Sequence, residues 1–160
     1  EGETYFVAYR ISKGGPVVKP EHPSSINLEK VRFLGFDLST DSPHRGDLLD
    51  LTLYWQALGE MEESYTVFTH LLGPYNEATG GPLWGQDDTI PLRGSYPTTI
   101  WEKGEIVVDF YHIPIPPEAP IGDYEIEVGM YLLSTLERMP VLGPGGEEGR
   151  ILLGQIRVEE

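Results

Sequence analysis

The alternation of apolar and polar side chains, broken at short intervals by glycine and proline, is the feature that most constrains this fold. In DYEIEVGMYLL (123–133), every second residue from Tyr124 to Leu132 is apolar, and acidic residues begin the opposite face. The segment DLLDLTLYWQAL (47–58) repeats the pattern. A period of two predicts strands that bury one face and expose the other.

Six further segments are predicted strands: TYFVAYRI (4–11), VRFLGFDLS (31–39), YTVFTHLL (65–72), LWGQ (83–86), EIVVDFYHI (105–113) and RILLGQIRV (150–158). The 19 glycines and 14 prolines lie largely between these segments, where they favour chain reversal. No segment has a convincing helical period. The sequence therefore predicts an all-β fold, a two-sheet antiparallel sandwich of about eight strands, either immunoglobulin-like or jelly-roll.

The chain length of 160 residues suits a single domain, 1–160. We expect the core of the domain to span 31–158. Segment 16–29, with three prolines and two serines, is linker-like. Residues 1–15 either add an edge strand to the sandwich or belong to a preceding segment, and we favour the edge strand.

The composition excludes several classes of function. Acidic residues outnumber basic ones 26 to 11, and a net charge of −15 argues against nucleic acid as a partner. The absence of cysteine excludes thiolate zinc sites and cysteine nucleophiles. No apolar run is long enough for direct membrane insertion. Nucleophile-elbow, phosphate-loop and HExxH motifs are also missing, so we expect no catalytic residues, no cofactor and no enzyme activity of the chain itself.

Three aspartates are the best candidates for a cation site. Asp87, Asp88 and Asp109 could supply the oxygen ligands that calcium prefers, although their spacing is not that of a calcium loop. We favour the alternative that Asp87 or Asp88 caps backbone amides of the loop. Asp109 lies in an apolar strand, and because an unpaired buried carboxylate is costly, it should bond Arg93, Lys103 or loop amides.

Aromatic residues give the stronger hint of ligand binding. Trp84, Tyr75 and Tyr96 lie in or beside predicted loops, where exposed rings can stack on sugars. The neighbouring polar side chains could bind sugar hydroxyls, which makes the candidate ligand-binding set Trp84, Tyr75, Asp87, Asp88, Arg93 and Tyr96. We expect the other prominent residues to anchor the fold: Trp55, Trp101, Asp109 and Tyr124. Segment 84–105 should then cross between the sheets, with Trp101 and Tyr96 as its anchors.

Several phrases resemble a known protein region: FLGFDLS (33–39), GDLLDLTLYWQAL (46–58), SYTVFTHLL (64–72), WGQDD (84–88), GSYPTTIWEKGEIVVDFYHIPIP (94–116) and PIGDYEIEVGMYLLSTLERMPV (120–141). In this order they are similar to the soluble C-terminal region of bacterial polytopic membrane glycosyltransferases, which resemble protein mannosyltransferases that use polyprenyl-phosphate sugars. The resemblance covers about residues 31–158. It implies an extracytoplasmic location with tethering through a parent chain, and it carries over no catalytic residue.

From these observations we expect a non-catalytic accessory domain of a membrane glycosyltransferase. Its partners would be glycan, acceptor or the membrane part of its own parent chain. The alternative is an independent carbohydrate-binding or adhesion module. A glycoside hydrolase is the remote alternative, because it needs two carboxyl groups placed about 5–10 Å apart in a cleft.

Overall fold

The structure, a computed structural model, describes residues 9–11 and 19–160, and its regular secondary structure is almost entirely β-strand. One 3-10 turn, Thr98–Ile100, interrupts them. In the described part of the chain no helix has the length and apolar character to cross a bilayer. The described strands are β1 (Tyr9–Ile11), β2 (His22–Asn27), β3 (Val31–Leu38), β4 (Leu48–Ala57), β5 (Thr66–Asn76), β6 (Gly81–Gln86), β7 (Ile106–Pro114), β8 (Gly122–Tyr131) and β9 (Ile151–Val158).

These strands form two antiparallel sheets, which confirms the predicted all-β sandwich. The five-stranded sheet has the order β1-β7-β4-β3-β2, and the four-stranded sheet has the order β6-β5-β8-β9. The chain changes sheet between β4 and β5, between β6 and β7, and between β7 and β8. This is the connectivity of an immunoglobulin-like sandwich, in which β4 and β7 take the places of strands B and E and β5, β8 and β9 those of C, F and G.

The core follows from the alternation in the sequence. Every second residue of β4 from Leu49 to Trp55 is at most 1% exposed, and the same holds from Ile126 to Met130 on β8 in the facing sheet. These side chains belong to one buried cluster that spans both sheets. Their removal from water, at about 25 cal/mol per Å² of apolar surface, is the main term that stabilises the fold.

The linker expected over 16–29 is wrong for His22–Asn27, which forms strand β2 at the edge of the five-stranded sheet. Pro23 has no backbone N–H to donate. This is tolerated because β2 is an edge strand, which pairs with a neighbour on one side only. At the other edge, Tyr9–Ile11 pairs with β7. The remaining residues of the edge strand expected in 1–15 lie outside the described residues.

The segment between β6 and β7 crosses from the four-stranded to the five-stranded sheet. Trp101 and Tyr96 are buried in this crossing, at 2% and 8% exposure, and their rings stack at 6.4 Å. The Trp101 indole N–H donates to the Tyr96 carbonyl at 3.0 Å, while the Tyr96 hydroxyl donates to Glu105. The two rings therefore fix the path of the crossing.

Candidate functional site

Tyr75 and Trp84 both lie on the hairpin formed by β5 and β6. Strand β5 continues through Gly73–Asn76, four residues beyond its predicted end, and this extension carries Tyr75 away from the core. The Tyr75 side chain is 70% exposed. Trp84 is half-buried, and its indole N–H donates to the Pro74 carbonyl at 2.7 Å. The hairpin thus carries one exposed ring, Tyr75, and one partly buried ring, Trp84, which packs against the core and is held by a hydrogen bond.

The other predicted ligand-binding residues are engaged within the protein. Arg93 forms two bonds of 2.8 and 2.5 Å to Asp87, which also accepts the amide of His112 at 2.8 Å. Burial alone would raise the pKa of Asp87, but the bonds from Arg93 and His112 outweigh it and lower that pKa. Tyr96 is buried, so its ring offers no face to a ligand.

The four expected anchors, Trp55, Trp101, Asp109 and Tyr124, are all buried. Asp109 is 1% exposed and accepts hydrogen bonds from the Leu92 amide (3.1 Å), the Phe110 amide (2.8 Å) and the Tyr111 hydroxyl. We expected Asp109 to bond Arg93, Lys103 or loop amides, and the partner found among these is the loop amide of Leu92. Burial raises the pKa of Asp109 and holds that of the Tyr111 hydroxyl well above its usual value.

Asp109 also supports an unusual stretch of backbone. Leu92, Arg93 and Gly94 all have left-handed conformations, with φ of 56°, 56° and 88°. Non-glycine residues pay roughly 1–2 kcal/mol each for this conformation. The bond from the Leu92 amide to Asp109 and the pairing of Arg93 with Asp87 therefore hold the crossing in a shape that its sequence does not favour by itself.

The calcium site suggested for Asp87, Asp88 and Asp109 is not formed. Within residues 9–11 and 19–160, no three His, Asp or Glu side chains are grouped as metal ligands. The physical reason is that each of the three carboxylates already accepts hydrogen bonds from protein donors. Asp88, for example, accepts the Thr69 amide at 3.3 Å and the Tyr131 hydroxyl at 3.2 Å.

The sequence analysis missed a charged cluster on the outer face of the four-stranded sheet. His70 lies between two carboxylates: its Nδ1 is 2.8 Å from Glu127 Oε2, and its Nε2 is 3.3 Å from Asp88 Oδ1. Glu127 also accepts bonds from Arg138 at 3.1 Å and from Arg150 at 3.2 Å. We call these five residues the Glu127 cluster.

Within the Glu127 cluster, hydrogen bonds and ion pairs favour the charged forms of His70 and Glu127 at neutral pH. Burial by itself lowers the pKa of His70, but the bonds to Asp88 and Glu127 outweigh it and raise that pKa to about 9. Burial also disfavours the charged form of Glu127 and so raises its pKa. The contacts with His70 and the two arginines outweigh this effect and lower the pKa to about 2. Both nitrogens of the imidazolium donate at pH 7, so the ring has no lone pair for a metal or for proton abstraction.

The Glu127 cluster fastens the long β8–β9 connection, residues 132–150, onto the sheet. Arg138 and Arg150 both come from this connection or its end, and both bond Glu127. The Arg138 guanidinium also lies 4.3 Å from the centre of the Phe68 ring, a cation-π contact that covers a phenylalanine of the outer face. The connection is therefore part of the packed structure.

Fold and site together define an immunoglobulin-like sandwich with an exposed aromatic hairpin and an internally paired charge network. No protein-family model and no curated protein matches the sequence.

Among solved structures, the chain is similar to part of the alkylpurine DNA glycosylase AlkC of Pseudomonas fluorescens, bound to DNA (10% identity, TM-score 0.46, 82% of this chain and 31% of that one). It is also similar to the CARDB domain of the PF1109 protein of Pyrococcus furiosus, in complex with di-metal ions (12% identity, TM-score 0.45, 91% of this chain and 99% of that one). A third similarity is to the β-glucosidase of Listeria innocua, in complex with glucose (10% identity, TM-score 0.47, 91% of this chain and 18% of that one). Similarities of this strength carry no argument about function.

Proposed function

We propose that this chain is a non-catalytic binding module that contacts carbohydrate through the aromatic hairpin, Tyr75 and Trp84. The observation that carries the proposal is the 70% exposure of Tyr75 on the same hairpin as the hydrogen-bonded indole of Trp84. Aromatic rings supply a large contact area at a low cost in conformational entropy. A pyranose presents an apolar face of C–H groups that can stack on such rings.

The state of the ionisable groups supports the non-catalytic part of the proposal. General acid–base catalysis needs groups with pKa values near the working pH. In the Glu127 cluster the pKa values are moved away from neutrality, to about 9 for His70 and about 2 for Glu127. Among the described residues, the groove lined by His22, Asp41 and Gln155 has a single carboxylate, whereas glycoside hydrolysis requires two across a cleft.

The wider context of the module rests on the sequence resemblance. We propose that the module is joined to an extracytoplasmic membrane glycosyltransferase, where it positions glycan or acceptor, or packs on the membrane part. The alternative is an independent carbohydrate-binding or adhesion module. The full gene distinguishes the two, because only the first requires multiple apolar membrane segments before Glu1.

Replacing Tyr75 by alanine should weaken the binding of a neutral oligosaccharide about tenfold, as expected when one stacking ring is lost. Tryptophan fluorescence measures this binding, because Trp55 and Trp101 are buried at 0% and 2% exposure and Trp84 alone is within reach of a ligand. The probes are soluble manno-, gluco- and xylo-oligosaccharides.

The matched control is Leu133→Ala, which removes a side chain of similar exposure, 67%, from the β8–β9 connection. It should leave the affinity unchanged. If no saccharide in the panel alters the Trp84 emission of the parent protein, or if Tyr75→Ala binds as tightly as the parent protein, carbohydrate binding at the hairpin is refuted.

A further inference from the structure

A concave surface lies at the edge of the sandwich opposite the aromatic hairpin. It is a groove of about 280 Å³ between the β2 and β3 side of one sheet and the β8 and β9 side of the other. Its apolar lining includes Leu38, Ile126 and Leu153, and its polar lining consists of His22, Asp41 and Gln155.

Irregular strands border this groove on both sides. The pairing of β2 with β3 shifts between Pro23 and Ile26, and the pairing of β8 with β9 shifts between Glu125 and Glu127. Gly154, in the middle of β9, has a φ of 108°, which an L side chain rarely adopts. Bulges of this kind bend edge strands and redirect their side chains. The groove is therefore shaped by the backbone on both walls.

The polar side chains that line the groove are all exposed to solvent. The imidazole of His22 is held by stacking on Phe36, with ring centres 4.6 Å apart and an interplanar angle of 18°. Within residues 9–11 and 19–160, the side chains of His22, Asp41 and Gln155 form no hydrogen bond, whereas His70, Asp87 and Asp109 are all bonded. Because these side chains are exposed to solvent, a ligand in the groove can take the place of the water that hydrates them.

We propose that this groove binds a single neutral pyranose residue. Its apolar lining suits the C–H face of a sugar ring, and its carboxylate, carboxamide and imidazole suit several hydroxyl groups. No lysine or arginine lines the groove, and the net charge of −15 repels anions, so an anionic ligand is disfavoured. The volume lies at the lower limit of ligand clefts, about 300 Å³, and fits one ring.

This site is independent of the hairpin proposed above and shares only its ligand class. The test is a titration of the isotope-labelled protein with neutral methyl pyranosides, followed through the amide resonances of residues 153–156. We expect saturable shifts at these amides. Gln155→Ala should weaken the binding about fivefold to tenfold, the size expected for one lost hydrogen bond.

Gln86→Ala is the matched control, because Gln86 is also an exposed glutamine on an edge strand of the same sheet. It should leave the titration unchanged. The inference is overturned if no methyl pyranoside shifts these amides, if Gln155→Ala binds like the parent protein, or if tetramethylammonium rather than the sugars produces the shifts.

A comparison with Tyr75→Ala separates this inference from the proposed function. If the amide shifts at residues 153–156 persist in Tyr75→Ala, the groove proposal is supported. This holds even if Tyr75→Ala binds oligosaccharide as tightly as the parent protein, a result that refutes only the hairpin proposal. Loss of the shifts in Tyr75→Ala would overturn the groove, because the two surfaces lie at opposite edges of the sandwich.

Discussion

Glu127→Ala should lower the free energy of unfolding by about 3 kcal/mol, the lower end of the range for removing one partner from a buried ion pair. The Glu127 side chain is only 6% exposed, and it accepts bonds from one imidazolium and two guanidinium groups. Its removal leaves those three cations facing each other. The lower end applies because Arg138 and Arg150 are 33% and 29% exposed, so water offsets part of the loss.

Urea unfolding followed by tryptophan fluorescence measures this change without adding salt that would screen the charges. The matched control is Glu125→Ala, which removes the neighbouring glutamate on the same face of β8. No ion pair is formed by Glu125 in the described part of the chain, and its loss should change the free energy of unfolding by less than about 0.5 kcal/mol. Equal effects of the two substitutions would contradict the structural role of the cluster.

Asp109→Ala should also lower the free energy of unfolding by about 3 kcal/mol. The substitution leaves the Leu92 amide, the Phe110 amide and the Tyr111 hydroxyl without their acceptor. A buried donor without a partner costs about 1–3 kcal/mol. The left-handed Leu92 also loses the bond that holds it, so its side chain, now 3% exposed, is no longer fixed in the core.

Asp109→Asn distinguishes the loss of hydrogen bonds from the loss of charge. The carboxamide keeps one acceptor oxygen, and it removes a charge whose burial raises the pKa of Asp109 and opposes folding at neutral pH. We therefore expect a loss of only about 1 kcal/mol in the same urea measurement. Asp123→Ala, at a side chain 62% exposed in a surface ion pair, should cost less than about 0.5 kcal/mol. A larger loss for Asn than for Ala would refute this account of Asp109.

The strands were predictable because their signal is local. Alternation along β4 and β8 is visible within ten residues and reflects one buried face. The crossing segment was predictable for the same reason, since Tyr96 and Trp101 are large apolar rings among turn-forming residues. Strand β2, His22–Asn27, was not predictable because proline and serine are also typical of linkers, and the edge position that tolerates them depends on which strands pair.

The Glu127 cluster was not predictable from local pattern. His70 is 57 residues from Glu127 and 18 from Asp88, and their contact depends on the register of β5 against β8 and on the path after β6. The available signal was a histidine and a glutamate placed in the middle of two apolar strands, where each would need a charged partner. Sequence alone did not show that they serve as each other's partner.

The proposal that this chain is non-catalytic makes one claim about the Glu127 cluster: its ionisable side chains stabilise the fold and do not react. His70 tests this claim because its folded-state pKa, about 9, lies above the unfolded value of 6.5. Its contribution to stability is therefore fully present below pH 6.5 and is lost as the pH rises to about 9. A catalytic imidazole would instead titrate near neutrality.

The most direct measurement is a titration of the His70 ring by nuclear magnetic resonance, with the signals assigned through the His70→Asn variant. We predict that both ring nitrogens stay protonated at pH 7, that the pKa is about 9, and that Glu127→Gln lowers it. A neutral imidazole at pH 7 with a pKa of about 6.5 or below would contradict the claim, because the ring would then be a free base on the face of the sheet.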